Sequence, residues 1–178
     1  MDTIDPRETE FKGYRLVPVY GRVPEELRAE IITMWRIANV LPPDEARRRV
    51  DEVVIAVRNP AGELAGVNTA FVQQVPGGSG NWYFYRTFVR EADRGVSGLP
   101  SACLRAAIAV LRDHPHPAAP LGIVAVVENP RLSNPGSVRR MERLGLHRIG
   151  RDRDDRDVWC LRFDGAVPVA PPGLLRPA

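Results

Sequence analysis

Two periodicities divide the chain. Val53-Val54-Ile55-Ala56-Val57 reads as a strand, and Leu121-Gly122-Ile123-Val124-Ala125-Val126-Val127 is a nearly unbroken apolar run of strand length, the pattern of a strand covered on both faces. Asn81 to Val89 is dense in aromatic and β-branched residues and predicts a central strand. Leu99, Cys103, Leu104, Ala107, Ile108 and Leu111 instead recur at helical spacing and predict an amphipathic helix. Tyr14 to Val19 reads as a short strand, with Pro18 placing it near an edge or a strand end. Pro24-Glu25-Glu26 opens a helix through Trp35 to about Ala38, and Pro43-Asp44 opens a second through Val50.

Turn chemistry fixes the rest. Asn59-Pro60-Ala61-Gly62-Glu63 joins the Val53–Val57 strand to a returning strand, Leu64 to Val72, and Gln73 to Gly80 leads into the central strand. Asn134 is placed to cap a helix with Pro135 at its first position and Gly145 at its stop. His147-Arg148-Ile149-Gly150 and Val158 to Phe163 form a final hairpin around Arg151 to Asp157, a run of near-cancelling charge read as a solvated turn. The order predicts a mixed α/β (α+β) fold with a mostly antiparallel sheet of about six to seven strands and about four helices. Residues 1–13 read as a flexible arm, 14–164 as one domain, and 165–178 as a proline-rich mobile tail.

Composition narrows the class. The chain has 178 residues, 44% hydrophobic and 26% charged, enough for one globular domain with a sizeable core. There is no apolar run of membrane-spanning length and no signal-peptide pattern, so a cytoplasmic protein is expected. Cys103 and Cys160 suit buried thiols in a reducing compartment. Lys12 is the only lysine, and the arginine excess fits a GC-rich bacterial genome. A net charge of +3 helps attract a polyanionic small ligand, but no basic stripe with interleaved aromatics argues for nucleic acid. His114 and His116 lack a third ligand nearby, so no metal is expected.

The candidate chemistry lies between the central strand and the helix after it. Arg90 to Gly98 is charged and glycine-bearing, and fresh helix amides follow it. Such a junction can cradle a phosphate. It lacks the Gly-Lys-Ser/Thr of a Walker loop and the glycine spacing of a dinucleotide fold. Gly95-Val96-Ser97-Gly98-Leu99 approaches a hydrolase nucleophile elbow centred on Ser97, with Leu99 where the last glycine belongs. An ordinary strand–helix connection accounts for the same residues.

Together with the element order, two motifs resemble the GNAT superfamily of acyl-CoA-dependent N-acyltransferases. Arg94, Gly95 and Gly98, followed by Ser101-Ala102, resemble the family's Arg/Gln-x-x-Gly-x-Gly/Ala pyrophosphate loop, with altered spacing and Pro100 where the last small residue is expected. Asn134, Glu142, Arg143, Leu144 and Gly145 resemble the family's second motif helix. The resemblance covers about residues 14 to 163. It implies a GNAT-like fold, acetyl-CoA or another acyl-CoA as co-substrate, a small-molecule primary amine as acceptor, and a homodimer.

For the site, the resemblance implies that Thr87, Phe88 and Val89 offer backbone groups to the pantetheine arm, a strand amide near Thr87 or Phe88 polarising the thioester carbonyl. Amides from Val96 through Gly98, Leu99 and Pro100 to Ser101, beside Arg94 and Gly95, would hold the pyrophosphate. Asn134 opens the second motif. Tyr83, Tyr85, Thr87 and Glu128 are candidates for moving the amine's proton, by a water relay or by the Glu128 carboxylate. Met141 stands where the family often has a tyrosine acid, which favours, as the alternative, a non-catalytic CoA-binding or interaction module. Arg86 is a candidate clamp for a substrate carboxylate, Trp35 and Trp82 are candidates for an acceptor pocket or core, and Cys103 reads as packing.

Overall fold

The computed structural model describes residues 8–75, 80–129, 133–169 and 174–175. Its elements are β1 (Thr9–Phe11), β2 (Tyr14–Pro18), α1 (Glu25–Ile37), α2 (Pro43–Arg49), β3 (Val53–Arg58), β4 (Leu64–Gln74), β5 (Asn81–Val89), α3 (Leu99–Asp113), β6 (Gly122–Val126), α4 (Pro135–Arg143), β7 (His147–Arg151) and β8 (Asp157–Arg162), with 3-10 turns at Val50–Glu52 and Glu91–Asp93. The strands form one sheet in the order β1-β2-β3-β4-β5-β6-β8-β7. β5 and β6 run parallel, from Tyr83↔Ile123 to Tyr85↔Ala125, and the other described registers are antiparallel. This is the mixed, mostly antiparallel α/β fold that the sequence predicts, with four α-helices and, among the described residues, eight strands rather than six or seven. Among the described residues no helix is long and apolar enough to cross a membrane.

The chain forms two compact units. The first comprises the described residues up to Ala70 together with Thr87–Asp113. On α1, Leu27, Ile31 and Trp35 recur every four residues and bury one stripe, joined in one cluster by Ala46, Val50, Val53, Ala56 and Val67. Trp35 is therefore core, 2% exposed. α3 buries Leu99, Cys103, Leu104, Ala107, Ile108 and Leu111, the stripe its periodicity predicts. Glu45 on α2 is held by Arg48 and Arg49, whose hydrogen bonds outweigh desolvation and bring its carboxyl down to about 2.

The extra strand lies in the stretch read as the flexible arm 1–13. Thr9, Glu10 and Phe11 pair with Leu16, Arg15 and Tyr14 across a tight turn at Lys12-Gly13, both at positive φ (52° and 79°). Three residues with no buried side chain carry no readable alternation, so the pattern is silent there.

The second unit comprises Phe71–Arg86 and the described residues from His114 onward. Val75, Trp82, Val124, Val158 and Cys160 form its core, with Leu174 and Leu175 of the tail packed against it. Part of the stretch read as mobile is therefore docked. The charged turn also differs from a solvated one, because Asp152 and Asp157 are buried. The Asp152 carboxylate accepts from the amides of Asp154 (3.0 Å) and Arg156 (2.9 Å) and from Arg156 Nε (2.8 Å). The charges of this run act as internal turn scaffolding.

Candidate functional site

The first unit brings the end of β5, the loop after it and the start of α3 together. Along a strand the backbone polar groups face alternate edges. The Arg90 amide donates to the Ala65 carbonyl at 2.8 Å. The Phe88 carbonyl lies so close to β4 that a side chain at Gly66 would place its Cβ 2.4 Å from that oxygen. Phe88 and Arg90 thus turn their polar groups towards β4, which corrects the expectation that Phe88 offers its backbone to a ligand. Thr87 and Val89 face the opposite edge, beyond the last β5–β6 register pair at Tyr85↔Ala125.

Asp93, 5% exposed, anchors the loop. It accepts from the Tyr14 hydroxyl at 2.8 Å and from Arg90 Nε at 2.6 Å, while Arg90 also reaches Glu63 at 2.9 Å. The hydrogen bond to Asp93, followed by burial, raises the Tyr14 phenol above its ordinary value. Arg90 and Asn59 hold the Glu63 carboxyl below its own. Arg94 folds back, its Nε donating to the Val89 carbonyl at 2.9 Å and its guanidinium 5.9 Å from the Phe88 ring.

Beyond the anchor, Gly98 adopts φ +90°, with the Phe11 ring 3.1 Å from where a Cβ would stand. Glycine is needed there on both counts. The Leu99 amide donates to the Val96 carbonyl at 3.2 Å, and Pro100 has no N–H. Leu99 and Pro100 therefore leave the donor set that the resemblance implies. None of the described hydrogen bonds takes the amides of Gly95, Val96, Gly98 or Ser101, which lie at the positive end of α3. The Lys12 ammonium completes the loop, donating to the Ser97 carbonyl at 2.9 Å. A nucleophile elbow is not formed, since the 3-10 turn and residues 94–98 separate strand from helix.

The other predicted residues fall differently. In the second unit Tyr83 is fully buried, packed on Phe163 (6.1 Å between centroids), and its hydroxyl accepts from the His116 amide at 2.8 Å. That is a packing role and corrects its assignment as a proton acceptor. Tyr85 is buried at 8%, whereas Thr87 and Glu128 are exposed. Asn134 caps α4, its Oδ1 accepting from the Ser137 amide and its Nδ2 donating to the Ser137 hydroxyl, both at 3.0 Å. Its carboxamide is committed to the cap rather than to a ligand. Trp82 is core at 4% exposure. Burial pushes the thiols of Cys103 and Cys160 up to about 12, so neither is a nucleophile. Among the described residues no cluster of metal-ligating side chains occurs.

Two residues escaped the sequence reading. Lys12 lay in the presumed arm. Asn68, fully buried on β4, donates Nδ2 to Thr87 Oγ1 at 3.3 Å, while its Oδ1 has no hydrogen-bond partner among the described residues. A polar residue on an otherwise apolar strand was its only signal.

Several solved structures share this architecture. The GNAT domain of S. lividans PAT superposes with TM-score 0.60 at 14% identity, covering 84% of this chain and 90% of that one. Arabidopsis thaliana NAA60 in complex with acetyl-CoA gives 0.58 at 13%, covering 85% and 99%. The aminoglycoside acetyltransferase AAC(6')-Ib, in complex with coenzyme A and kanamycin, gives 0.56 at 14%, covering 85% and 96%. The chain has the GNAT acetyltransferase fold. By sequence, no protein-family model and no curated protein matches it.

Proposed function

We propose that the protein is an acyl-CoA-dependent N-acyltransferase that moves an acetyl group onto a primary amine of a small molecule. One observation carries this reading. The amides of Gly95, Val96, Gly98 and Ser101, taken by none of the described hydrogen bonds, lie along a glycine-opened helix start, with Lys12 fixed against the same loop. Uncommitted amides at a helix N-terminus suit a diphosphate, and an adjacent ammonium offsets its charge. Similar folds solved with acetyl-CoA, and with coenzyme A and kanamycin, support the co-substrate and the acceptor class.

In this reading the outward backbone of Thr87 and the Val89 amide pair with the pantetheine arm and position the thioester carbonyl, the Val89 carbonyl being held by Arg94. The amine lone pair attacks that carbonyl carbon, the C–N bond forms, and the C–S bond breaks as CoA departs as thiolate. The ammonium of the addition intermediate loses its proton to water, with Thr87, exposed near the end of β5, a candidate for relaying it. Catalysis comes mainly from juxtaposition of the two substrates. Met141, half-buried on α4, has no proton to give, so the thiolate is protonated from solvent.

Calorimetric titration with CoA and acetyl-CoA tests the cradle, and thiol release over an amine panel tests the transfer. Failure of both ligands to bind at millimolar concentration excludes the reading. Met141 favours a second one, a CoA-binding module without transfer; binding of CoA with no thiol release from any amine would select it.

A further inference from the structure

Two arginines flank the 3-10 turn after β5, and different chemistry holds each. Arg90 is locked between carboxylates, 2.6 Å from Asp93 and 2.9 Å from Glu63. Arg94 is exposed and, among the described residues, meets only neutral groups. These are the Val89 carbonyl, 2.9 Å from its Nε, and the Phe88 ring, 5.9 Å from its guanidinium. The terminal nitrogens of Arg94 are uncommitted. A neutral carbonyl holds an exposed guanidinium weakly, whereas a phosphate takes it through paired charge-assisted bonds. Directly after Arg94 comes Gly95, the first of the cradle amides, where a Cβ would meet nothing within 4 Å. The carbonyl that Arg94 covers belongs to the strand edge turned away from β4, where an extended ligand finds its acceptors.

We propose that Arg94 makes the donor site conditional on a diphosphate. It covers the Val89 carbonyl until a diphosphate beside Gly95 draws the guanidinium away, and the freed carbonyl then accepts from an amide N–H of the pantetheine arm. Arg94 is thus the residue that selects CoA thioesters over pantetheine thioesters lacking the diphosphate. The proposal rests on the acyltransferase reading, which puts the diphosphate on the loop and the arm along Thr87–Val89. It adds to that reading a coupling between the two halves of the donor, each favouring the other. An arginine that only anchored phosphate would leave the affinity for the arm unchanged when removed.

Calorimetric titration with CoA and with pantetheine, on the unsubstituted protein and on Arg94→Met, reads both halves. Methionine keeps a flexible side chain against Phe88 and offers no N–H. Arg94→Met is expected to bind CoA about three- to tenfold more weakly and pantetheine about threefold more tightly. Inorganic pyrophosphate is expected to tighten pantetheine about threefold on the unsubstituted protein and to have no such effect on Arg94→Met. Thermal melting confirms that the variant folds, and a merely structural role would weaken both ligands together. Pantetheine no tighter on Arg94→Met than on the unsubstituted protein, or promoted equally by pyrophosphate on both, would overturn the proposal. Absence of CoA binding by the unsubstituted protein would instead remove the acyltransferase reading beneath it.

Discussion

The ammonium of Lys12 donates to the carbonyl of Ser97 across 2.9 Å, tying the β1–β2 turn to the loop that opens α3. The contact leaves two of the three ammonium protons for an anion held on the neighbouring amides. Lys12→Gln is expected to weaken CoA binding about three- to tenfold, on the order of 1 kcal/mol for a charge-assisted contact. The loss shrinks as salt is raised. Calorimetry at two ionic strengths measures it; unchanged affinity at low salt would remove Lys12 from the cradle.

Gly98 answers to two constraints, its positive φ and the Phe11 ring at 3.1 Å. Gly98→Ala is expected to destabilise the fold by about 1–2 kcal/mol through strain and crowding. Gly98→Glu adds an anion to the same place and abolishes CoA binding. Denaturant melts and ligand titration of the two variants separate strain from electrostatics. A glutamate variant with undiminished affinity would put the diphosphate elsewhere.

Asp93 is buried between Tyr14 and Arg90. Asp93→Ala strands both partners and is expected to cost about 3 kcal/mol, whereas Tyr14→Phe removes a single hydrogen bond and costs about 1 kcal/mol. Urea unfolding gives both values.

The turn between β7 and β8 titrates in acid. Burial raises the Asp152 carboxyl, but the Arg156 guanidinium and the amides of Arg156 and Asp154 outweigh it, and the net displacement is downward. A folded value below the unfolded one, about 3.9, means full stabilisation above that pH and loss as pH falls through the folded value. Below pH about 4 the native protein should lose its advantage in melting temperature over Asp152→Asn. Melts of both proteins between about pH 7 and about pH 2 check the sign.

Cys103 and Cys160 stand at about 12 because burial disfavours their thiolates. Ellman's reagent at pH about 8, near the ordinary thiol value, should label neither in the native protein and both after denaturation. Iodoacetamide should leave thiol release from acetyl-CoA untouched. Rapid native labelling of Cys103 would reopen a covalent mechanism.

The helices and the buried strands were legible because their signals are local. Asn134, Pro135 and Gly145 announce α4, and the stripe from Leu99 to Leu111 announces α3. Their side chains carry the same message in sequence and in space. Of the loop before α3, the sequence carried the succession of strand, turn and helix but not its backbone directions. That Leu99 uses its amide internally and that Phe88 turns towards β4 are matters of backbone direction, which residue type does not encode. Tyr83 and Asn134 were assigned by position, yet the first meets the His116 amide and the second the turn of its own helix. Lys12 reaches Ser97 from 85 residues away in sequence, through a hairpin too short to leave a pattern.

That hairpin bears on how the molecule is handled at the bench. Trimming the chain to begin at Tyr14, as is often done to hasten crystals, would delete the ring that covers Gly98 and the ammonium that holds the Ser97 carbonyl. The shortened protein would keep its helices, give a respectable circular dichroism spectrum and, on the proposed acyltransferase reading, be scored as inert towards the thioester for want of its first strand.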